Sequence, residues 1–117
     1  MTTVKTEKNG PVRTITLARP EKRNALDLAM LEALYGAFID TPDKSERVIV
    51  LRAEGSVFCA GIDLAERQRN PAQRGESPIE RVLEAMEHSP LPIVGVVQGA
   101  AIAGGCEMAL HCDFVVA

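Results

Sequence analysis

A carboxylate directly behind a glycine pair is the feature of this sequence that most suggests chemistry. Glu107 follows Gly104 and Gly105 in the stretch QGAAIAGGCEMALHCDF, residues 98–114, whose other members are mostly small or apolar. Those neighbours favour partial burial, and a half-buried glutamate can have a raised pKa that suits proton transfer near neutral pH. The competing interpretation is an exposed acid in the first turn of a helix, where the helix dipole stabilises it.

Two glycine-bearing segments each follow an apolar stretch with the character of a buried strand. FCAGIDL contains Gly61, and GAAIAGGCE contains Gly104 and Gly105. Glycine lets backbone N–H groups face a ligand without a Cβ in the way. N–H groups at a helix N-terminus are unsatisfied and carry partial positive charge. One N–H from each segment could therefore meet on a single oxygen as an oxyanion hole, although tight packing or turns alone would also explain these glycines.

The spacing of the residues disfavours nucleotide and metal sites. Gly99 and Gly104 have the glycine spacing of a P-loop, but a glycine stands where that motif needs lysine, and no G-x-G-x-x-G occurs. Neither H-E-x-x-H nor a paired C-x-x-C is present, so we expect no metal site. The side chains closest in sequence that could serve as metal ligands are Cys106, Glu107, His111 and Cys112.

Composition excludes several further classes of protein. The 117 residues suit one domain at most, and a net charge of −3 with only 3% aromatic residues argues against a nucleic-acid partner. The N-terminus is polar, and the most apolar window, 91–105, is shorter than the ~18–20 residues of a membrane span, so we expect no membrane partner. Three cysteines without C-x-x-C spacing indicate small buried thiols in a reducing, cytoplasmic compartment.

Alternating strand and helix patterns predict an α/β architecture. The β-branched stretch Val12–Leu17 predicts a strand, and 47–52 predicts one buried on both faces. PIVGVVQG predicts another buried strand, and DFVVA predicts one more.

Helices are predicted between these strands. One follows Asp27 as N-cap, and a second is indicated by a capping box of Ser77 and Glu80 with Pro78 at its first position. A short helix begins near Gly104 or Gly105. ERQRNPAQRGE, residues 66–76, is predicted to be a mobile loop. The apolar stripes that define the two longer helices are Met30, Leu31, Leu34 and Phe38, and Ile79, Val82, Leu83 and Met86.

Taken together, three motifs resemble the crotonase family, the enoyl-CoA hydratase/isomerase superfamily. They are RPEKRNAL, FCAGIDL and GAAIAGGCEMALHCDFVVA, in the family's order and spacing, and the match covers nearly the whole chain. The resemblance implies an α/β fold of ββα units wound as a spiral (ClpP/crotonase-like), and a homotrimer or hexamer as the assembly. It also implies an acyl-coenzyme A thioester substrate, with no cofactor beyond the coenzyme A of the substrate itself, and a role in fatty acid metabolism.

The resemblance further implies roles for individual residues. The two oxyanion-hole N–H groups map onto Ile62 and Gly104, and Glu107 matches the first catalytic glutamate, which handles water or a proton. Lys22 and Arg23 are candidate phosphate partners, with help from Arg19; a solvated loop is the alternative for this basic cluster. The positions that match the coenzyme A site are Lys22, Arg23, Ala25, Ala60, Gly61, Asp63 and Leu64.

The hydratases of this family use a second glutamate, which would lie beyond Ala117 here. We therefore expect residues 1–117 to be the N-terminal part of a single crotonase-like domain, with its C-terminal half absent. Such a piece would expose apolar strand edges and associate.

Three functions stay open at this point. The first is an enoyl-CoA hydratase or isomerase that stabilises a thioester enolate and uses a glutamate as acid and base. The second is a non-catalytic acyl-CoA-binding or interaction module with the same fold. The third is another crotonase chemistry, double-bond isomerisation or thioester hydrolysis, for which one glutamate suffices because only a proton must be moved.

Overall fold

A computed structural model describes residues 2–69 and 78–117 and contains one five-stranded sheet. The strands follow one another across the sheet in chain order, with β1 antiparallel to β2 and every later pair parallel. The strands are β1 Val4–Asn9, β2 Val12–Leu17, β3 Val48–Ala53, β4 Ile93–Val96 and β5 Phe114–Val116. The helices are α1 Leu28–Ile39, α2 Leu64–Arg69, α3 Pro78–Glu87 and α4 Gly104–Leu110, and Pro20–Lys22 forms a 3₁₀ turn.

The core lies on one face of the sheet. Ile15, Leu17, Ile49, Leu51 and Ile93 point into it and are buried. Connections between parallel strands are right-handed in nearly all folds, which for strands in sequential order brings the connecting helices to one face. The helices contribute Met30, Leu34 and Phe38 from α1, and Ile79, Val82 and Met86 from α3.

The opposite face of the sheet is not covered by the described residues. In β3, Val48 and Val50 are half-buried and Arg52 is exposed, while Val96 at the end of β4 is exposed as well. The prediction that β3 is buried on both faces is therefore wrong. An apolar run in the sequence shows that a strand lies inside, but it does not show how many layers cover it.

Most predicted elements are confirmed. Strands β2 to β5 and helix α1 form where expected, and Asp27 caps α1 by accepting a hydrogen bond from the Met30 N–H at 2.8 Å. The short helix α4 begins at Gly104 and ends one residue before His111, which is its C-cap. Ser77 of the predicted capping box and part of the predicted mobile loop lie among residues 70–77, outside the described residues. Glu80 lies in the first turn of α3.

Two elements were not predicted. Strand β1 is almost wholly polar, and its register against β2 is set by pairing rather than by an apolar pattern. Helix α2 covers the first part of the predicted loop: the Asp63 carboxylate accepts a hydrogen bond from the Glu66 N–H at 3.1 Å and so caps this helix. None of the helices in the described ranges is long and apolar enough to cross a bilayer.

A buried ion pair joins β2 to the turn before β3. Arg13 points into the covered face, and its guanidinium donates two hydrogen bonds to the Glu46 carboxylate, from Nε at 2.7 Å and from Nη2 at 2.9 Å. Its Nη1 donates to the carbonyl oxygens of Ala37 and Asp40 at the end of α1. The hydrogen bonds from Arg13 hold the pKa of Glu46 below its usual value.

This pair makes a prediction about pH. Since the pKa of Glu46 is lowered in the folded state, its stabilisation is present above the unfolded value, about 4.3, and is lost as the pH falls through the folded value. We expect Glu46→Gln to lower the melting temperature at pH 7, and the difference from the native protein to shrink below about pH 4. Thermal unfolding between pH 3 and 7 measures it. Glu32→Gln, at an exposed position of α1, is the control; an equal loss in both variants would contradict the assignment.

Candidate functional site

Three chain segments come together at the carboxyl ends of the parallel strands. The Ala60 N–H donates to the carbonyl oxygen of Arg23 at 3.0 Å, and the Leu26 N–H donates to that of Gly61 at 2.7 Å. On the other side, the Ile102 N–H donates to the carbonyl oxygen of Cys59 at 3.0 Å. FCAGIDL therefore lies between RPEKRNAL and GAAIAGGCE, so the three motifs singled out in the sequence form one junction.

Glycines make the close approach at this junction possible. Gly61 has φ = 91°, and a Cβ on it would stand 2.9 Å from the carbonyl oxygen of Ile102 and 3.5 Å from the Gly104 nitrogen. A Cβ on Gly105 would stand 2.5 Å from the carbonyl oxygen of Cys59. Since real Cβ contacts are longer than either of the two oxygen distances, both glycines are needed for these backbones to touch.

The hydrogen bonds of this junction orient two free amides. Gly61 accepts through its carbonyl from Leu26, so in a planar trans peptide the Ile62 N–H points away from Leu26. The carbonyl of Ala103 accepts from the Glu107 N–H at 2.9 Å along α4, so the Gly104 N–H points out of the helix start. Within the described part of the chain, neither N–H donates to any acceptor.

A cleft of about 380 Å³ opens beside this junction and collects most of the predicted coenzyme A positions. Lys22 and Arg23 stand at it with exposed side chains that make no hydrogen bond or ion pair with any described group. Gly61 and Gly104 lie at the adjoining junction rather than in its wall. The lining residues are Arg19, Lys22, Arg23, Ala25, Ala60, Ile62, Asp63, Leu64 and Ala65.

Arg19 and Asp63 hold the wall of this cleft. The Arg19 Nη1 donates to Asp63 Oδ2 and to the carbonyl oxygen of Ala25, both at 2.9 Å. The hydrogen bond from the Glu66 N–H, followed by that from Arg19, lowers the pKa of Asp63, which keeps the carboxylate ionised. Arg19 is thus committed to the protein's own groups, and the unpaired cations of the cleft are Lys22 and Arg23.

Asn24 is a positioning residue that was not predicted from the sequence. Its buried side chain accepts from the Arg19 N–H at 2.8 Å and donates to the carbonyl oxygens of Glu54 and Val57 at 2.9 Å each. Its backbone has φ = 56°, a region that asparagine tolerates better than most residues. An asparagine inside a charged loop is the signal that could have found it.

Glu107 is exposed, contrary to the expectation of partial burial. Helix α4 buries the side formed by Gly104, Gly105 and Met108, and the carboxylate of Glu107 lies on its other side. Its side chain has no hydrogen-bond partner among the residues described. The apolar neighbours that suggested burial belong to the packed side of the same helix, or, like Leu110, are exposed themselves.

The cysteines behave differently from one another. Burial raises the pKa of Cys59 and of Cys112 to about 11, so both are thiols at neutral pH. Cys106 is exposed, so the interpretation of all three as buried thiols is wrong for it. Residues 2–69 and 78–117 contain no group of three metal-ligating side chains.

Solved structures show the class of fold. The enoyl-CoA hydratase of Bacillus anthracis superposes with a TM-score of 0.85 at 32% identity, and covers 97% of this chain and 46% of that one. Pseudomonas aeruginosa AtuE superposes with a TM-score of 0.88 at 32% identity, over 97% of this chain and 47% of that one. The chain therefore has the crotonase fold predicted for it, in the ββα order of its first strands and helix.

The sequence comparison shows the family. A sequence profile of the family described as Enoyl-CoA hydratase/isomerase matches residues 7–117, and the chain belongs to that family. The "Probable enoyl-CoA hydratase echA6" of Mycobacterium bovis is 43% identical over 105 residues, which are 87% of this chain and 41% of that protein. The human "Enoyl-CoA hydratase domain-containing protein 3, mitochondrial" is 35% identical over 111 residues, 91% of this chain and 37% of that protein. The chain thus spans well under half the length of these curated relatives.

Proposed function

We propose that the protein binds an acyl-CoA thioester and that the Ile62 and Gly104 N–H groups hold its carbonyl oxygen. The observation that carries this proposal is the contact between two turns, each of which holds an amide N–H that donates to no described group. A Cβ on Gly61 would lie only 3.5 Å from the Gly104 nitrogen, and the anchored carbonyls of Gly61 and Ala103 turn both N–H groups away from their own segments.

Such a pair of donors suits a thioester that becomes an enolate. When a base removes the proton next to the carbonyl, or a nucleophile adds to the conjugated double bond, negative charge gathers on the carbonyl oxygen. Fixed N–H donors stabilise that charge more than the neutral carbonyl, and the loss of one donor typically costs 10²–10³ in rate. Family membership suggests the substrate class, and the two N–H groups of the junction are the hydrogen-bond donors that stabilise the developing negative charge.

Glu107 is the proposed acid and base. It lies three residues after Gly104 on α4, so its carboxylate is within about one helical turn of the Gly104 N–H. There it would deliver or remove the proton of hydration or of double-bond isomerisation. Isomerisation and thioester hydrolysis remain alternatives to hydration, because a single carboxylate can serve them.

Lys22 and Arg23 are proposed to bind the phosphates of coenzyme A, because they are the unpaired cations of the cleft. We expect the Lys22→Ala, Arg23→Ala double variant to raise KM for an enoyl-CoA about tenfold and leave kcat unchanged, since the lost contacts are equal in ground and transition state. Initial rates are measured by the ultraviolet absorbance of the conjugated thioester. The protein for this assay is expressed from its whole gene.

The matched substrate for this test is the same acyl group on a pantetheine thioester, which has no phosphate. Its KM should not change in the double variant. Lys44→Ala, at an exposed lysine remote from the cleft, should behave as the native protein toward both substrates. An equal rise of KM for both thioesters would contradict a phosphate role, and the absence of turnover in the native protein would contradict the proposed enzyme.

A second candidate is an acyl-CoA-binding module without catalysis. It is favoured by one observation: Glu107 is exposed and no described group orients its carboxylate. Calorimetry with an acyl-CoA separates the candidates, because binding without turnover of any enoyl thioester supports this one. The homotrimeric or hexameric assembly and the cytoplasmic location stay predictions.

A further inference from the structure

Ala103 has a backbone conformation that favours glycine. Directly before Gly104, its φ is 49° and its ψ is −112°. This region is open to glycine and is rarely adopted by a residue with a Cβ, because the Cβ crowds the neighbouring peptide groups. The sequence has glycine at the next position, Gly104, but alanine at the strained position itself.

The surrounding backbone holds Ala103 in this conformation from both sides. On one side the Ile102 N–H donates to the carbonyl oxygen of Cys59 at 3.0 Å. On the other, the carbonyl oxygen of Ala103 accepts from the Glu107 N–H at 2.9 Å, and the Gly105 N–H donates to that of Ile102 at 2.9 Å. A strained residue persists where its neighbours determine its position in this way.

The methyl group of Ala103 contributes little to the packing of the core. The side chain is exposed, and it does not belong to the hydrophobic core. At the junction it lies beside Gly61, on which a Cβ would stand 3.4 Å from the Ala103 Cβ. Glycine would therefore be more stable than alanine at this position. A strained conformation that packing of the side chain does not offset points to a functional reason.

We propose that Ala103 is a positioning residue, whose methyl group restricts rotation of the Ala103–Gly104 peptide and so fixes the direction of the Gly104 N–H. The inference rests on the proposed function of that N–H. With glycine at this position the peptide plane has more accessible orientations, and the donor would meet a carbonyl oxygen correctly for a smaller fraction of the time. An oxyanion donor is effective because it needs no reorientation during the reaction.

Ala103→Gly tests this, because it should move stability and activity in opposite directions. We expect a higher melting temperature, as the strain at φ = 49° is released. We expect kcat for an enoyl-CoA to fall about tenfold, less than the 10²–10³ of a deleted donor, with KM within about twofold of native. A purely structural role would move both quantities in the same direction, or leave kcat at the native value.

Gly10→Ala is the matched control. Gly10 has φ = 59° in the turn between β1 and β2, and a Cβ there would meet nothing within 4 Å, so this variant adds alanine to a left-handed position far from the junction. It should lower the melting temperature and leave kcat unchanged. Native kcat in Ala103→Gly, or a lower melting temperature in that variant, would overturn the proposal.

A second readout separates this proposal from the proposed function. The ¹⁵N relaxation order parameter of the Gly104 N–H should be high in the native protein and lower in Ala103→Gly, whether or not any thioester is turned over. An unchanged order parameter would overturn the role of Ala103. If the native protein neither binds nor turns over an acyl-CoA while the order parameter falls as expected, the proposed function fails and the restraint by Ala103 stands.

Discussion

Replacement of Glu107 by glutamine is expected to lower kcat for an enoyl-CoA by about 10²–10⁴-fold with KM little changed. The amide keeps the size and shape of the side chain but cannot accept or return a proton at neutral pH. The position is exposed on α4, so the fold should not suffer. Steady-state rates with the native protein and the variant measure the loss, and calorimetry with a saturated acyl-CoA checks that binding is retained.

Glu84→Gln is the control for that experiment. Glu84 is also an exposed glutamate on a helix, in α3, and lies outside the cleft and the junction. Its variant should have native rates. If Glu107→Gln retained native kcat, Glu107 would not be the acid or base, and the binding-module candidate or another proton carrier would take its place.

Gly61→Ala is expected to lower kcat by about 10²–10³-fold, the usual effect of losing one donor of an oxyanion site. Two causes act together here. The new Cβ would stand 2.9 Å from the Ile102 carbonyl oxygen, which is backbone and cannot rotate away, and φ = 91° is unfavourable for alanine. The two turns must separate, so the Ile62 and Gly104 N–H groups no longer meet the same oxygen. Kinetics with an enoyl-CoA, alongside thermal unfolding, measure the effect.

Gly36→Ala is the matched glycine control. Gly36 lies within α1, is exposed, and a Cβ there would meet nothing within 4 Å. The substitution should stabilise the protein by about 0.5–1 kcal/mol, because alanine suits a helix better than glycine, and should leave kcat unchanged. A Gly61→Ala variant with native kcat would mean that the contact between the two turns has no part in catalysis.

The helices and parallel strands were predictable because their signals are local. Met30, Leu34 and Phe38 recur at helix spacing, and Asp27 stands where an N-cap is needed, so α1 forms within a residue of its prediction. The junction of the motifs was predictable for a related reason. Parallel strands end at one edge of a sheet, so the glycine segments after β3 and β4 must be neighbours.

What was missed depends on long-range pairing. Strand β1 is polar and exists because β2 offers it a partner, and the Arg13–Glu46 pair joins residues that are far apart in the chain. The exposure of Glu107 follows from the rotation of α4, which its short sequence does not determine. Whether one or both faces of a sheet are covered depends on the order of its strands, and the sequence of a single strand does not determine that order.

The proposed function requires two amide nitrogens to meet one oxygen, and a crystal structure with a non-reacting acyl-CoA bound tests this most directly. We predict that the thioester carbonyl oxygen lies about 2.7–3.1 Å from both the Ile62 and the Gly104 nitrogens, with the phosphates toward Lys22 and Arg23. A bound thioester whose carbonyl oxygen lies beyond hydrogen-bond distance of either nitrogen would contradict the account.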